Sequence, residues 1–402
     1  MTHGTKVLAI APFYRTFIKD SLSATAPLVK GIHLLVPHNV FSEIATKIPF
    51  GGFFSHVRQF AGRNLIDLPI SHPGVDVSLI DLRYLIPDRR NPYLGDLLFK
   101  EVDRFISERK IEFDIVQGHF TWPTGYAAVR IAQKYKVPSI IVVHESRDWL
   151  YEMINSKNTR FSWTWRNASV LVRVNKLDVP LLSKFNSKVI TSAGGFDPTR
   201  FFPIDRKAAR LHLGIPPEKK VLFTLGVHEK RKGFEYLIRA LGEYSKLNSN
   251  VTCIIGGDGP IRTDLEAMAH EFGLAGVVRF LGFVKSCDLV YYYNAADLFV
   301  LPSLSEGNPT VMFESIGCGT PFLGTRVGGT EEIITSDEFG LLVKPADSRE
   351  LEEKIEIGLQ RDWNRELIRN HSMNFTWDKN ARTFADLYGD LVADLPSGRI
   401  CW

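Results

Sequence analysis

The sequence predicts an α/β protein made of two doubly wound, parallel-sheet domains. Short apolar runs recur along its 402 residues, most of them leading into a turn and then a stretch of helical spacing. That strand–helix–strand rhythm gives right-handed βαβ units and a parallel sheet. The length suits two domains of about 200 residues, each with its own core. Polar residues also stand at strand ends, as in Gly118-His119 and His144-Glu145, where a doubly wound sheet holds its ligands.

Residues 6–11 are apolar and bounded by Pro12, which suits a first strand. Residues 32–36 and 75–80 read as further strands, each after a glycine and a turn region. Between them, Phe50-Gly51-Gly52-Phe53 reads as a hairpin or plain loop, with a loop entering a helix as the alternative. Residues 93–110 have helical spacing and close on basic residues, as a helix C-terminus favours. Residues 114–117 and 139–143 are buried strands on either side of a helix over 125–135, and His119 is expected to cap that helix.

Residues 157–176 carry Lys157, Arg160, Arg166, Arg173 and Lys176 among Phe161, Trp163 and Trp165, with no acid. The favoured reading is a solvated helix followed by a core strand over 170–174. The other is an interfacial patch for anionic lipid or a lipid-linked phosphate acceptor. Residues 188–203 end the strand rhythm and bring prolines, so they read as the connection between domains. The boundaries become 1–195 for the first domain, 196–205 for the linker and 206–375 for the second domain. A C-terminal helix in 376–402 then crosses back to brace the first domain.

The second domain opens with a strand over 219–226, ending on Gly226, and a helix from 234 to about 244. Between them Lys230, Arg231 and Lys232 precede Gly233, well placed to neutralise a diphosphate. Residues 251–256 form a strand leading to Gly257-Asp258-Gly259-Pro260, and 296–300 a buried strand. Amphipathic helices follow over 349–360 and 376–391.

The stretch after the buried strand carries the chemistry. It reads Glu306-Gly307-Asn308-Pro309-Thr310-Val311, with Glu314 three residues further on. Pro309 suits the first position of a helix over 310–316 that stops at Gly317 and Gly319. A helix N-terminus has unpaired N–H groups and partial positive charge, so it receives phosphate. The carboxylates of Glu306 and Glu314 accept sugar hydroxyls. Phosphate and hydroxyl demands together describe a sugar nucleotide. The plain alternative is a strand–turn–helix with a surface glutamate at its cap.

Composition narrows the class. Hydrophobic residues at 45% and charged residues at 23% are ordinary for a globular protein. Cys253, Cys287, Cys318 and Cys401 lie far apart with no metal-ligand spacing, which points to a reducing compartment with neither zinc nor disulfides. The N-terminus lacks the apolar core of a signal peptide, and no window nears eighteen apolar residues. A net charge of +4 is too small to argue for nucleic acid.

The stretch from Glu306 to Glu314 resembles the Glu-x7-Glu signature of retaining glycosyltransferases of the GT-B fold, family 4 (glycosyl transferases group 1). The likeness continues through residues 324–334 and 340–347, is strong from about 191 to 391, and is topological before that. It implies two Rossmann-like domains facing across a cleft, with acceptor binding in the first and nucleotide-sugar binding in the second. It implies transfer of a hexosyl group from a nucleotide-diphosphate sugar to a glycan or lipid-linked saccharide, with retention and without a metal. A growing polysaccharide or a lipid-linked saccharide is the expected acceptor and the cytoplasm the expected place, peripheral to the inner membrane face if the basic segment is interfacial. No other cofactor is implied, and the chain has no Asp-x-Asp.

By resemblance, Glu314 binds ribose hydroxyls, Glu306 a donor-sugar hydroxyl, and Lys232 the diphosphate. The same likeness puts Gly226, Gly307, Asn308, Pro309, Thr310 and Val311 around the donor, Gly282 and Val284 near the base, and His144 beside the reacting sugar. The family places an arginine just after Gly226, where this chain has Val227. Whether His228, Lys230 or Arg231 completes the clamp is left open. Competing readings are a GT-B phosphorylase and a non-catalytic sugar-nucleotide-binding protein. A dinucleotide oxidoreductase lacks its Gly-x-Gly-x-x-Gly after the first strand.

Overall fold

The computed structural model describes residues 4–46, 61–67, 73–84, 91 and 93–394. Gly51, Gly52 and Cys401 lie outside the described residues. The chain divides into two compact units, Met1–Ala193 with Trp377–Trp402, and Gly194–Thr376.

The first unit is a seven-stranded parallel sheet of β1 (Lys6–Ile10), β2 (Gly31–Asn39), β3 (Val75–Leu82), β4 (Ile115–His119), β5 (Ser139–Val143), β6 (Val170–Arg173) and β7 (Val189–Thr191). Its order is β3-β2-β1-β4-β5-β6-β7, so the winding reverses between β1 and β4. Strands buried on both faces need apolar residues at every position, and β1 divides them by parity. Leu8 and Ile10 join one core with Val116, Ile141 and Leu171. Val7 and Ala9 join the other with Ile115, Val142 and Val172.

That second core includes Phe384, Tyr388 and Leu391 from the helix Trp377–Ala393. Their spacing, continued back to Trp377 and Ala381, forms one apolar stripe along the helix. Burying each large side chain contributes about 1.5–3 kcal/mol.

Two expectations change here, while the helix and core strand expected of the basic segment are found at Thr159–Asn167 and Val170–Arg173. Residues 189–191 are not linker: they form the edge strand β7, paired with β6 at Leu171↔Val189. Three residues are too short to show periodicity, which hid the strand. The ring of His119 does not cap a helix; only its carbonyl, accepting from Thr124 Oγ1, faces the following turn. The aromatic residues of the basic segment turn inward. Phe161 and Trp165 are buried in the helix Thr159–Asn167, and Trp163 packs on Tyr126. Arg160 is held by Asp96 at 2.8 Å. No helix among the described residues is long and apolar enough to cross a membrane.

The second unit is a six-stranded parallel sheet of β8 (Lys220–Leu225), β9 (Val251–Gly256), β10 (Val278–Gly282), β11 (Leu298–Leu301), β12 (Phe322–Thr325) and β13 (Gly340–Val343). Its order is β10-β9-β8-β11-β12-β13, with the reversal between β8 and β11. Asp297, at the foot of β11, accepts from Arg206, Arg210 and the Val221 amide at 2.7–2.8 Å. This fixes the helix Arg206–Leu213 to the sheet.

Candidate active site

In a doubly wound sheet the carboxyl ends of the strands at the reversal leave a crevice for ligands. In the second unit those strands are β8 and β11, joined at Leu298↔Leu222 and Phe299↔Phe223. After β8 comes Gly226, then a single turn over Lys230–Lys232 that ends on Gly233 at φ +63°. A Cβ on Gly233 would stand 2.1 Å from the Pro302 carbonyl oxygen, so only glycine lets this basic turn lie against the end of β11. The Leu304 amide donates to the Arg231 carbonyl at 2.7 Å and closes the contact.

This approach brings Lys232 to Glu306. Lys232 Nζ is 2.5 Å from Glu306 Oε1, which also accepts from Ser303 Oγ at 2.8 Å. Arg231 Nη1 stands 3.6 Å from Oε2. Burial pushes the Glu306 carboxyl up, but the charges of Lys232 and Arg231 and the two hydrogen bonds outweigh it, and its pKa is lowered. The group is therefore a carboxylate at neutral pH. Gly328, at φ +56°, lets its loop press on the Glu306 and Gly307 carbonyls, where a Cβ would come within 2.6 and 2.5 Å.

Pro309 opens the helix Thr310–Gly317 with extended φ/ψ and no side-chain cap. Its first-turn amides at Thr310 and Val311 are thus available to an anion, as at other helix N-termini. Glu314, in the second turn, accepts from the hydroxyl of the buried Tyr293 at 2.6 Å. Gly226, Gly257 and Gly282 meet at the other edge: the Gly257 amide donates to the Gly282 carbonyl at 2.8 Å, and a Cβ on Gly257 would stand 1.9 Å from the Gly226 carbonyl oxygen. Val284 sits by Gly256 in the same corner, 3.0 Å from where its Cβ would be. Val227 is 48% exposed, whereas His228 is buried against Phe234 and Phe280. Burial lowers the His228 pKa and keeps the ring neutral, so it cannot supply a clamp charge.

His144 belongs to the first unit, just beyond β5. The guanidinium of Arg173 donates to the carbonyls on both sides of it, Val143 and Glu145, each at 2.7 Å. Phe17 and Phe120 pack on its ring at 4.9 and 5.0 Å between centroids. His144 Nε2 is 3.0 Å from Nδ1 of the buried His119, whose Nε2 is 2.9 Å from Gln117 Nε2. Burial lowers the pKa of His119 to about 3 and that of His144 well below the usual value.

A pH effect follows. In the unfolded chain the His119 ring takes a proton near pH 6.5. In the folded protein it stays neutral down to about pH 3, so lowering the pH across that window favours unfolding. From pH 7 to pH 5 this ring should remove about 2 kcal/mol of stability. Denaturant melts at both pH values should show His119→Asn losing that much less than wild type. Equal losses would refute the buried neutral ring.

The structure thus gathers Gly226, Lys232 and Glu306 at one crevice and adds Ser303 and Arg231. The sequence offered no sign of Tyr293 or Gln117, whose partners Glu314 and Tyr388 stand 21 and 271 positions away, nor of Ser303, a lone serine three residues before Glu306. Arg231 was visible as one of three adjacent cations.

Comparison with known proteins gives the class. Residues 205–375 match the family described as glycosyl transferases group 1. D-inositol 3-phosphate glycosyltransferase 2 of Catenulispora acidiphila is 28% identical over 316 residues, 70% of this chain and 72% of the relative. The TuaC protein of Bacillus subtilis, a putative teichuronic acid biosynthesis glycosyltransferase, is 28% identical over 294 residues, 72% of this chain and 70% of the relative. The fold matches sucrose-phosphate synthase of Thermosynechococcus elongatus at TM-score 0.76 and 18% identity, covering 97% of this chain and 100% of that one. Anabaena HepE, solved with UDP and glucose, matches at TM-score 0.70 and 18% identity, covering 97% and 100%. The chain is a glycosyltransferase of the GT-B fold whose second unit carries the group 1 domain. It is a transferase that moves a sugar from a nucleotide sugar.

Proposed function

We propose that the enzyme is a retaining family 4 hexosyltransferase that works without a metal on a nucleotide-diphosphate sugar and a saccharide acceptor. The observation that carries the reading is the buried pair of Lys232 and Glu306, flanked by the partly exposed Arg231, at the β8/β11 reversal, beside a helix N-terminus without a side-chain cap. Breaking the bond from the anomeric carbon to phosphate puts negative charge on the departing diphosphate. Cations and amides fixed in advance stabilise that charge. Lys232 supplies one cation, and Arg231 takes the part that the arginine missing at Val227 would play. With both in place, the clamp needs no divalent ion.

Glu306, held ionised, accepts a donor-sugar hydroxyl. Retention has the acceptor attack from the face the diphosphate leaves, and because the lowered pKa makes Glu306 a weak base, the acceptor proton passes to a phosphate oxygen of the leaving group. Glu314, anchored by Tyr293, accepts the ribose hydroxyls, and Gly282 and Val284 border the base. His144 hydrogen-bonds the reacting sugar. The acceptor is a growing polysaccharide or a lipid-linked saccharide, reached from the cytoplasm. The relative named for teichuronic acid biosynthesis supports the polysaccharide.

The test is a thermal-shift series with UDP-glucose, UDP-GlcNAc, UDP-galactose, GDP-mannose and ADP-glucose. A donor at about 100 times its Kd adds about 2.7 kcal/mol to stability. One base should give the shift. Glu314→Ala should abolish it, while Glu306→Ala should keep it and lose turnover. Near-wild-type kinetics in both variants would sink the assignment, and sugar 1-phosphate formed from free phosphate would mark a phosphorylase.

A further inference from the structure

Four side chains of the first unit form a continuous hydrogen-bonded line that ends on His144. It begins on the helix Trp377–Ala393, where the Tyr388 hydroxyl donates to Gln117 Oε1. Gln117 and His119 are two residues apart on β4 and so share a face of the sheet. That face carries Ile115, packed in the same core as Tyr388. β4 pairs with β5 at His119↔Val142, which puts His144 two residues further along on the same side. The line continues from Gln117 Nε2 to His119 Nε2 at 2.9 Å, and from His119 Nδ1 to His144 Nε2 at 3.0 Å. Tyr388, Gln117 and His119 are buried.

The line has a direction. Gln117 Oε1 is occupied by the tyrosine hydroxyl, so the group facing His119 is an amide NH2, which only donates. His119 Nε2 must accept. A neutral imidazole that accepts at one nitrogen carries its proton on the other, so His119 Nδ1–H donates to His144 Nε2. His144 Nε2 is then an acceptor, and the proton of the neutral ring sits on Nδ1, the nitrogen outside the line.

We infer that Tyr388, Gln117 and His119 are positioning residues that hold His144 as its Nδ1–H tautomer, making it a hydrogen-bond donor to a substrate oxygen and not a base. This rests on the reading of His144 as a residue of the reaction. Such a nitrogen suits the lone pair of a sugar hydroxyl or a phosphate oxygen and rejects an ammonium group. It takes no proton from the acceptor, in keeping with a proton that leaves on phosphate. Phe17 and Phe120 hold the ring plane, and Arg173 holds the backbone on both sides.

The test uses the whole protein labelled with 15N-histidine. Two-bond nitrogen–proton correlation spectra at pH 7 should show His144 and His119 both protonated on Nδ1. Gln117→Glu places only acceptor atoms opposite His119 and should reverse both tautomers. Its kcat should fall by about 100-fold, as when one preorganised donor is removed, with the donor KM unchanged. Tyr388→Phe frees the amide, and should give mixed tautomers and a smaller loss.

A wild-type spectrum with His144 protonated on Nε2 overturns the proposal without any variant having to fold. Reversed tautomers with unchanged kcat overturn it as well. Full turnover in His144→Ala would instead remove the reading of His144 beneath it, whatever the tautomer. An inactive His144→Ala with the wrong wild-type tautomer would remove only the relay.

Discussion

Lys232→Ala is expected to lower kcat by about 10²–10³-fold, the effect of deleting one preorganised group that meets developing charge. Its ammonium touches Glu306 at 2.5 Å, and its stem packs against Gly226. Removing it should do two separable things. The diphosphate loses its nearest cation, and Glu306 is left buried with Arg231 at 3.6 Å as its remaining charge partner among the contacts described. The second effect lowers stability and raises the Glu306 pKa. A Lys232→Ala/Glu306→Gln double variant removes the uncompensated charge, so it should regain stability in urea melts while staying inactive. Turnover near wild type in Lys232→Ala would take this residue out of the site.

Arg173→Met is expected to cost about 3–5 kcal/mol, the usual price of breaking a buried ion pair from one side. Arg173 and Asp178 are both fully buried, 2.5 Å apart. The same guanidinium satisfies the Val143 and Glu145 carbonyls, which would become buried acceptors without donors. Arg147, 3.6 Å from Asp178, is partly exposed and replaces little of this. Arg173→Lys should not rescue the loss, because one ammonium cannot reproduce the planar fork across three partners. Denaturant midpoints decide the point, and an unchanged midpoint in Arg173→Met would refute it.

The strands were legible where burial on both faces demands unbroken apolar runs. Residues 139–143 and 251–256 were read with the bounds the structure gives. The helix after Pro309 was legible from its proline start and glycine stop. The edge strand β7 was not, since three half-buried residues carry too little pattern. The pairing of Glu306 with Lys232 was foreshadowed by charge but not by distance, because it depends on Gly233 meeting the Pro302 carbonyl, 69 residues on. The line from Tyr388 to His144 joins residues up to 271 positions apart, and no local signal reports such a contact.

The helix that completes the first unit lies beyond the whole of the second in the chain. During synthesis the first unit therefore lacks Phe384, Tyr388 and Leu391 until the ribosome has finished residues 194–376. Domains ordinarily close in the order they emerge. Here the later one can be finished while the earlier one still has an open apolar face. A chain stalled short of residue 377 would hold a donor crevice but no tyrosine to orient His144, so nascent or clipped protein would bind donor without the ordered histidine. Assembly and competence are thus joined in time.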